Sequence, residues 1–353
     1  MSDGGPYSRA YRLEGNPTRS ITGSLDSSPS SQNEQAYRNI SLRSVRIFIN
    51  ELQPEHWPLD IRTFVEQLLA VEDVVEDTDT VSAVPLVLPD NLRNTCAALS
   101  RQASRCQAGP KPGWMRLARE MLGFHDHPYI SVYENETIDV QADLTSENSE
   151  PLSTPTPDLI FGLAVFDSQG SQSPAPILST KLLARLGPLC GVQSFPRQDV
   201  RDIAFPCVIF EAESDSGTLL AAENRAAHAA ANALIMLKNL TAVAQAPHRL
   251  PMVVICSQGS IYEVLVSFEL QADEIPPTTD PSVGWGRHRR PKSGIQLVEI
   301  WTGNVRRAEV MLEFQKIWYR VMRWVLNTWR PTIIRMLDDI KATMPEEEQD
   351  EEM

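Results

Sequence analysis

The chain has 353 residues, 42% of them hydrophobic and 22% charged, with 17 Gly and 26 Pro. That is enough apolar material for one large core or two small ones, and it excludes a fibrous, collagenous or wholly unstructured chain. With 32 Lys and Arg against 46 Asp and Glu the formal charge is −14, so there is no overall pull toward a polyanion, and contact with nucleic acid requires a local basic region.

Five cysteines, Cys96, Cys106, Cys190, Cys207 and Cys256, form no C-x-x-C pair, a usage that fits a reducing compartment better than a disulfide framework or structural zinc. The opening MSDGGPYSRAYRLEG lacks a signal-peptide core, and no apolar run approaches the ~18 residues that span a bilayer. A soluble intracellular protein, nuclear or cytoplasmic and without a membrane partner, is the expectation.

Residues 1–40 contain eight Ser, four Gly and three Pro with few large apolar groups, which predicts a disordered tail. Order is expected from Leu42, where SLRSVRIFIN alternates, and continues into a helix with Ile61, Phe64, Val65, Leu68 and Leu69 on one stripe and Pro58 in its first turn. Further helices are predicted over 89–105, capped by Asp90 or Asn91, and over 113–122, with Trp114, Leu117, Ala118 and Met121 on one face. From Tyr129 the period changes to two: ISVYENETIDV reads as a strand or a hairpin turning near Glu134 and Asn135, and PDLIFGLAVF as a buried strand.

A short helix is predicted over 179–189. FPCVIFEAES follows as a strand bounded by Pro206 and by the turn residues Ser214 to Gly217, and TLLAAENRAAHAAANALIMLKNL as an Ala-rich helix. MVVICSQGSIYEVLVSF gives two strands joined at Gln258-Gly259, and IQLVEIW one more. A long C-terminal helix over 304–329 is expected to end at Pro331, which starts a shorter one. PEEEQDEEM reads as an acidic tail. The pattern gives an α/β fold, a mixed central sheet flanked by helices, with a single domain over 41–343 (a helical part 41–125, a core 126–343 and a C-terminal helical pair) and a tail over 344–353.

The charged ends of two strands are the chemical feature. Glu211 and Glu213, two apart on a strand, point to one face with Cα atoms about 6–7 Å apart; if the strand behind Asp158 lies beside theirs, three carboxylates gather. Such a group raises its own pKa values unless a cation is present. Mg²⁺ or Mn²⁺, with oxygen ligands from carboxylates, a strand carbonyl and a substrate phosphate, answers that need.

The order Pro157-Asp158 before an apolar strand, Glu211-x-Glu213 some fifty residues on, and then an Ala-rich helix resembles the PD-(D/E)XK nuclease superfamily. More narrowly it is similar to fungal PD-(D/E)XK nuclease-like domain proteins, through AENRAAHAAANAL and IWTGNVRRAEVMLEFQKIWYRVMRWVLNTWRPTIIRML, over residues 110 to 340. The resemblance implies a restriction-endonuclease-like core and divalent-metal hydrolysis of DNA, with Asp158 and Glu211 as metal ligands. Glu213 stands where the family usually has lysine, and would ligate the ion or orient a water. Arg225 is the nearest substitute cation, with Lys238 further along the helix, and Glu120 or Glu66 the candidate acid from an earlier helix. The same resemblance also admits a catalytically inactive interaction module.

Blander readings stand beside these. Pro-Asp can be a turn, and Glu211 and Glu213 a strand edge blunted by charge, leaving an unrelated globular scaffold. His125 and His127 have an H-x-H spacing without a third ligand. Ser257 and Ser260 flank a hairpin turn rather than a hydrolase elbow, and Trp318, Trp324 and Trp329 read as core before stacking platforms. For DNA, the basic stretch Arg287, His288, Arg289, Arg290 and Lys292, with Arg306 and Arg307, is the candidate interface, in a region (283–343) carrying twelve Lys and Arg against five Asp and Glu. The acidic tail could equally mask it.

Overall fold

The computed structural model describes residues 29–70, 89–107, 109–123, 127–141, 144, 152–165, 178–197, 199, 201–275 and 291–344. Among them seven strands form one mixed sheet: β1 (Ile47–Ile49), β2 (Ile130–Glu134), β3 (Leu159–Ala164), β4 (Ile203–Glu213), β5 (Met252–Gln258), β6 (Ile261–Leu270) and β7 (Gly294–Asn304). Their spatial order is β1-β7-β6-β5-β4-β3-β2. The β1/β7 and β4/β5 pairs are parallel and the rest antiparallel. The expected α/β class with a mixed central sheet is the one observed.

β4 is buried along nearly its whole length because both faces are covered, which explains its continuous apolar run. On one face lies helix α6 (Leu219–Val243), capped by the Thr218 hydroxyl, which accepts from the Ala221 amide at 3.1 Å. Its alanines let it approach the sheet closely, and Ala222, Ala226, Ala229, Ala230 and Ala233 are fully buried. On the other face are α3 (Leu92–Arg105), α4 (Lys111–Met121) and α7 (Ala308–Trp324). Phe161 meets Trp318 at 5.2 Å and Tyr262 meets Phe314 at 5.3 Å, so α7 supplies the aromatic half of the core. The Gln315 amide donates to Met121 O at 2.9 Å and ties α7 to α4. Helix α2 (Leu59–Leu69) buries Ile61, Phe64, Val65 and Leu68, as its period requires. Among the described residues no helix is long and apolar enough to cross a membrane.

Four expectations change or narrow. Residues 29–40, read as part of a tail, form helix α1 (Pro29–Ala36) and the start of a π-helical turn, Tyr37–Leu42. They dock on α6 through polar groups: Arg38 pairs with Glu223 at 2.5 Å and donates to Asn224 Oδ1 at 2.8 Å, and Asn224 donates to Glu34 Oε2 at 2.8 Å. Composition overlooks such docking because it counts apolar surface. Residues 1–28 and 345–353 lie outside the described residues.

Second, of the two readings of ISVYENETIDV the strand is observed, as β2, and the hairpin is not. Asn135 turns the chain at φ 53°, and the next amides bond elsewhere, Ile138 to Pro155 O and Asp139 to Pro196 O. Third, Pro206 lies inside β4 rather than at its boundary. A bulge opposite Gly162, with Phe205 at φ 45°, accommodates it, since proline has no amide to give the ladder. Fourth, α7 continues through a π-helical turn, Val325–Trp329, into α8 (Arg330–Thr343), and Pro331, which has no amide to bond back, falls directly after that turn rather than ending the helix. Between β3 and β4, α5 (Thr180–Cys190) is capped by Ser179 and ended by Gly191 at φ 75°.

Candidate functional site

The β3/β4 register pairs Leu159 with Phe210, and one step further sets Asp158 opposite Glu211. Asp158, at 5% exposure, accepts from the Ala212 amide at 2.7 Å through Oδ2 and pairs with Lys111 Nζ at 2.7 Å through Oδ1. Glu211, at 1% exposure, and Glu213 point from β4 toward α6, where Arg225 meets both, at 3.2 Å from Glu211 Oε2 and 2.6 Å from Glu213 Oε1. The three acids and Arg225 that the sequence singled out therefore converge at one end of the sheet.

The connection after β4 is held against the β5–β6 hairpin. Gly259 donates to Glu213 O at 2.9 Å and Gln258 to Gly217 O at 2.6 Å. Gly259 sits at φ 54°, and a β-carbon there would strike Asp215; one on Gly217 would strike the Glu213 carboxylate. Both glycines keep the acidic corner narrow.

Burial pushes the Glu211 carboxyl up to about 8, the charge of Asp158 adds to the rise, and Arg225 and Lys111 oppose it. Glu211 Oε1 is buried without a hydrogen-bond partner. Burial disfavours the Arg225 charge, yet Glu211 and Glu213 hold that guanidinium above its ordinary value.

Lys111 is the residue that sequence reasoning missed. It opens α4 within Pro110-Lys111-Pro112, and nothing in that tripeptide marks it as chemical; only the packing of α4 directs its ammonium to Asp158. Glu120, expected to supply an acid, is exposed at the opposite end of α4, nine residues or about 13 Å of helix away, and Glu66 lies on the outward face of α2. Lys238 pairs with Glu269 at 3.0 Å, far from the acids as anticipated.

The basic residues divide. Glu211 aligns with Cys256, Cys256 with Glu263 and Glu263 with Thr302, which places the acids at the C-terminal end of β7. Lys292 precedes the N-terminal end, with its Nζ 5.9 Å from the Phe48 ring centroid. From Gly294 to Thr302 the strand runs about 26 Å, so Lys292 stands at the other end of the sheet. Arg287, Arg289 and Arg290 lie outside the described residues, as does His125. Arg306, in contrast, reaches the acidic end, 3.6 Å from Asp215 and over the Trp114 ring at 6.0 Å. His127 is half-buried beside Tyr129 at 5.6 Å and has a lowered pKa, chiefly from burial. Trp318 and Trp329 are buried in the core, and Trp324 packs on Phe64 at 4.6 Å.

A second polar group lies on the same sheet face. Glu263 is opposed by Glu223 of α6, and Arg38 covers Glu223. Asn224, His228 and Asn232 recur every four residues along the Ala-rich helix and are all buried, a spacing that signals a buried polar stripe. Asn232 Oδ1 accepts from the Gln141 amide at 2.7 Å, and Tyr37 OH lies 3.4 Å from His228 Nδ1. An open groove of about 550 Å³ at the far end of α6 is lined by Leu234, Thr241, His248 and Arg249. Its cations already hold Glu269, Asp60 and Glu274, so it gathers no free reactive set.

Among the described residues no three His, Cys, Asp or Glu side chains form a ready metal group. The donor set nevertheless fits a hard divalent ion held by two carboxylates. Glu211 offers a buried oxygen with no other partner, Asp158 lies across the strand pair, and Mg²⁺ commonly takes one or two carboxylates and fills its shell with water and phosphate. Glu213 fits less well as a ligand, because Arg225 holds it. No protein-family model matches the chain, and no curated protein matches it.

Proposed function

We propose that the chain is a divalent-metal-dependent phosphodiester hydrolase of the PD-(D/E)XK kind, acting on DNA, with Asp158 and Glu211 as ion ligands and Lys111 as the cation beside the reacting phosphate. The observation that carries this reading is the meeting of Asp158, Glu211 and Lys111, from three separate elements, at one sheet end. When bound, Mg²⁺ or Mn²⁺ polarises the phosphate and lowers the pKa of a water. Lys111, at 38% side-chain exposure, can reach a phosphate oxygen while remaining beside Asp158. The Ala212 amide fixes the Asp158 carboxylate and so orients its other oxygen. Arg225 and Arg306 stand at the same end, each paired with an acid and partly exposed, where a phosphate could compete for them.

The test is nicking of supercoiled plasmid in Mn²⁺ by the wild type beside Asp158→Ala, Glu211→Gln and Lys111→Met. Activity in the wild type that falls at least a hundredfold in each variant supports the assignment; equal nicking in all four refutes it. A second reading rests on its own observation, that each acid here already has a cationic partner. It makes the chain a catalytically silent module on the same fold, and predicts that Mn²⁺ binds calorimetrically with no nicking under any metal.

A further inference from the structure

One guanidinium serves two carboxylates at this site. Arg225 bonds Glu211 Oε2 and Glu213 Oε1 while 40% of its side chain remains exposed. The remaining oxygen of Glu211 is buried and unpaired. Glu213 lies close against Gly217, ahead of the helix start, and is held there by Arg225. The pair therefore offers an entering cation one free oxygen next to a partly exposed guanidinium. A guanidinium is also the side chain best matched to a phosphodiester, through two parallel N–H···O bonds.

Resting on the ion-site reading above, we propose that Arg225 couples ion binding to substrate binding, acting as the counter-ion of Glu211 and Glu213 until a phosphodiester draws it away. Without phosphate the guanidinium neutralises the acids and opposes a divalent cation. With phosphate present it gains a new acceptor on its exposed side and releases Glu211 Oε2 to the ion. Each ligand then raises the affinity of the other by the same factor, as linkage requires. Arg225 is in this sense a positioning residue that acts through the two glutamates, and the device keeps the ion from settling in an empty site.

The measurement is Mn²⁺ binding by calorimetry, with and without saturating diethyl phosphate, a simple phosphodiester stable over the titration. In the wild type, diethyl phosphate is expected to tighten Mn²⁺ binding at least tenfold. Arg225→Ala should bind Mn²⁺ at least tenfold more tightly than the wild type in its absence and gain less than twofold from adding it. Arg225→Lys, which keeps one charge but not the fork, should retain coupling of the same sign and smaller size, and its thermal unfolding reports whether the fold survives. Equal Mn²⁺ affinity with and without diethyl phosphate in the wild type, together with no tightening in Arg225→Ala, overturns the coupling while leaving the ion site intact. If neither the wild type nor folded Arg225→Lys binds millimolar Mn²⁺, the ion site itself is absent and the coupling falls with it.

Discussion

Glu263 gives a test of the buried polar row that is independent of any catalytic role. It is 8% exposed on β6, aligned with Cys256 on one side and Thr302 on the other, and faces α6. Burial, then the charge and hydrogen bond of Glu223 and the charge of Glu299, push its carboxyl up to about 9, against the pull of Arg38. The folded state thus holds a proton that the unfolded chain, with a carboxyl near 4.5, releases. Stability from this proton is complete below the unfolded value and is lost as pH rises toward the folded one, with a limiting slope of about 1.4 kcal/mol per pH unit.

Between pH 5 and pH 7 the wild type should therefore lose about 2–3 kcal/mol that Glu263→Gln keeps. The glutamine preserves the shape and can donate to Glu223 without titrating. Urea unfolding at pH 4.5, 5, 6, 7 and 8 measures the difference between the two proteins, which should widen steadily with pH. His228, lowered to about 4 by burial, destabilises both proteins alike as pH falls below about 6.5, and so cancels from the comparison. A difference that stays constant from pH 5 to pH 8 refutes the assignment of a shared, protonated carboxyl pair.

Two further outcomes concern the elements that frame the site. Arg38→Ala leaves Glu223, whose side chain is 10% exposed, without its cation, and should cost about 3–5 kcal/mol in urea unfolding; a loss under 1 kcal/mol means that residues 29–42 are dispensable to α6. Gly259→Ala places a β-carbon at φ 54° and against Asp215, and should cost about 1–2 kcal/mol from the left-handed backbone alone, with a further loss from the collision. An unchanged unfolding midpoint argues against the tight closure of the hairpin on Glu213.

Much of this molecule was readable residue by residue. The stripe Ile61, Phe64, Val65 and Leu68 announced α2, and the apolar run Val208 to Phe210 announced β4, because local period follows directly from which faces a segment buries. The acids at the strand ends were legible as a group, since Glu211 and Glu213 must share a face and Asp158 heads the preceding strand. Lys111 was not, because Pro-Lys-Pro has the same meaning in any helix start until α4 is packed. The docking of Arg38 and Glu34 was hidden for a related reason: it is polar, so no apolar pattern betrays it. Arg306 and Lys292 looked like one basic region only because they are close in sequence; a strand of eleven residues separates them to opposite ends of the sheet.

The amino-acid order alone determined most of the helices and strands, how charge is distributed and which carboxylates could act together, since each depends on neighbours a few positions apart. Strand order and register, the choice of Lys111 and Arg225 as partners for those carboxylates, and the burial that raises the Glu211 and Glu263 carboxyls were decided by the tertiary structure. These depend on residues dozens to hundreds of positions apart, and on the removal of water between them, which no local pattern encodes.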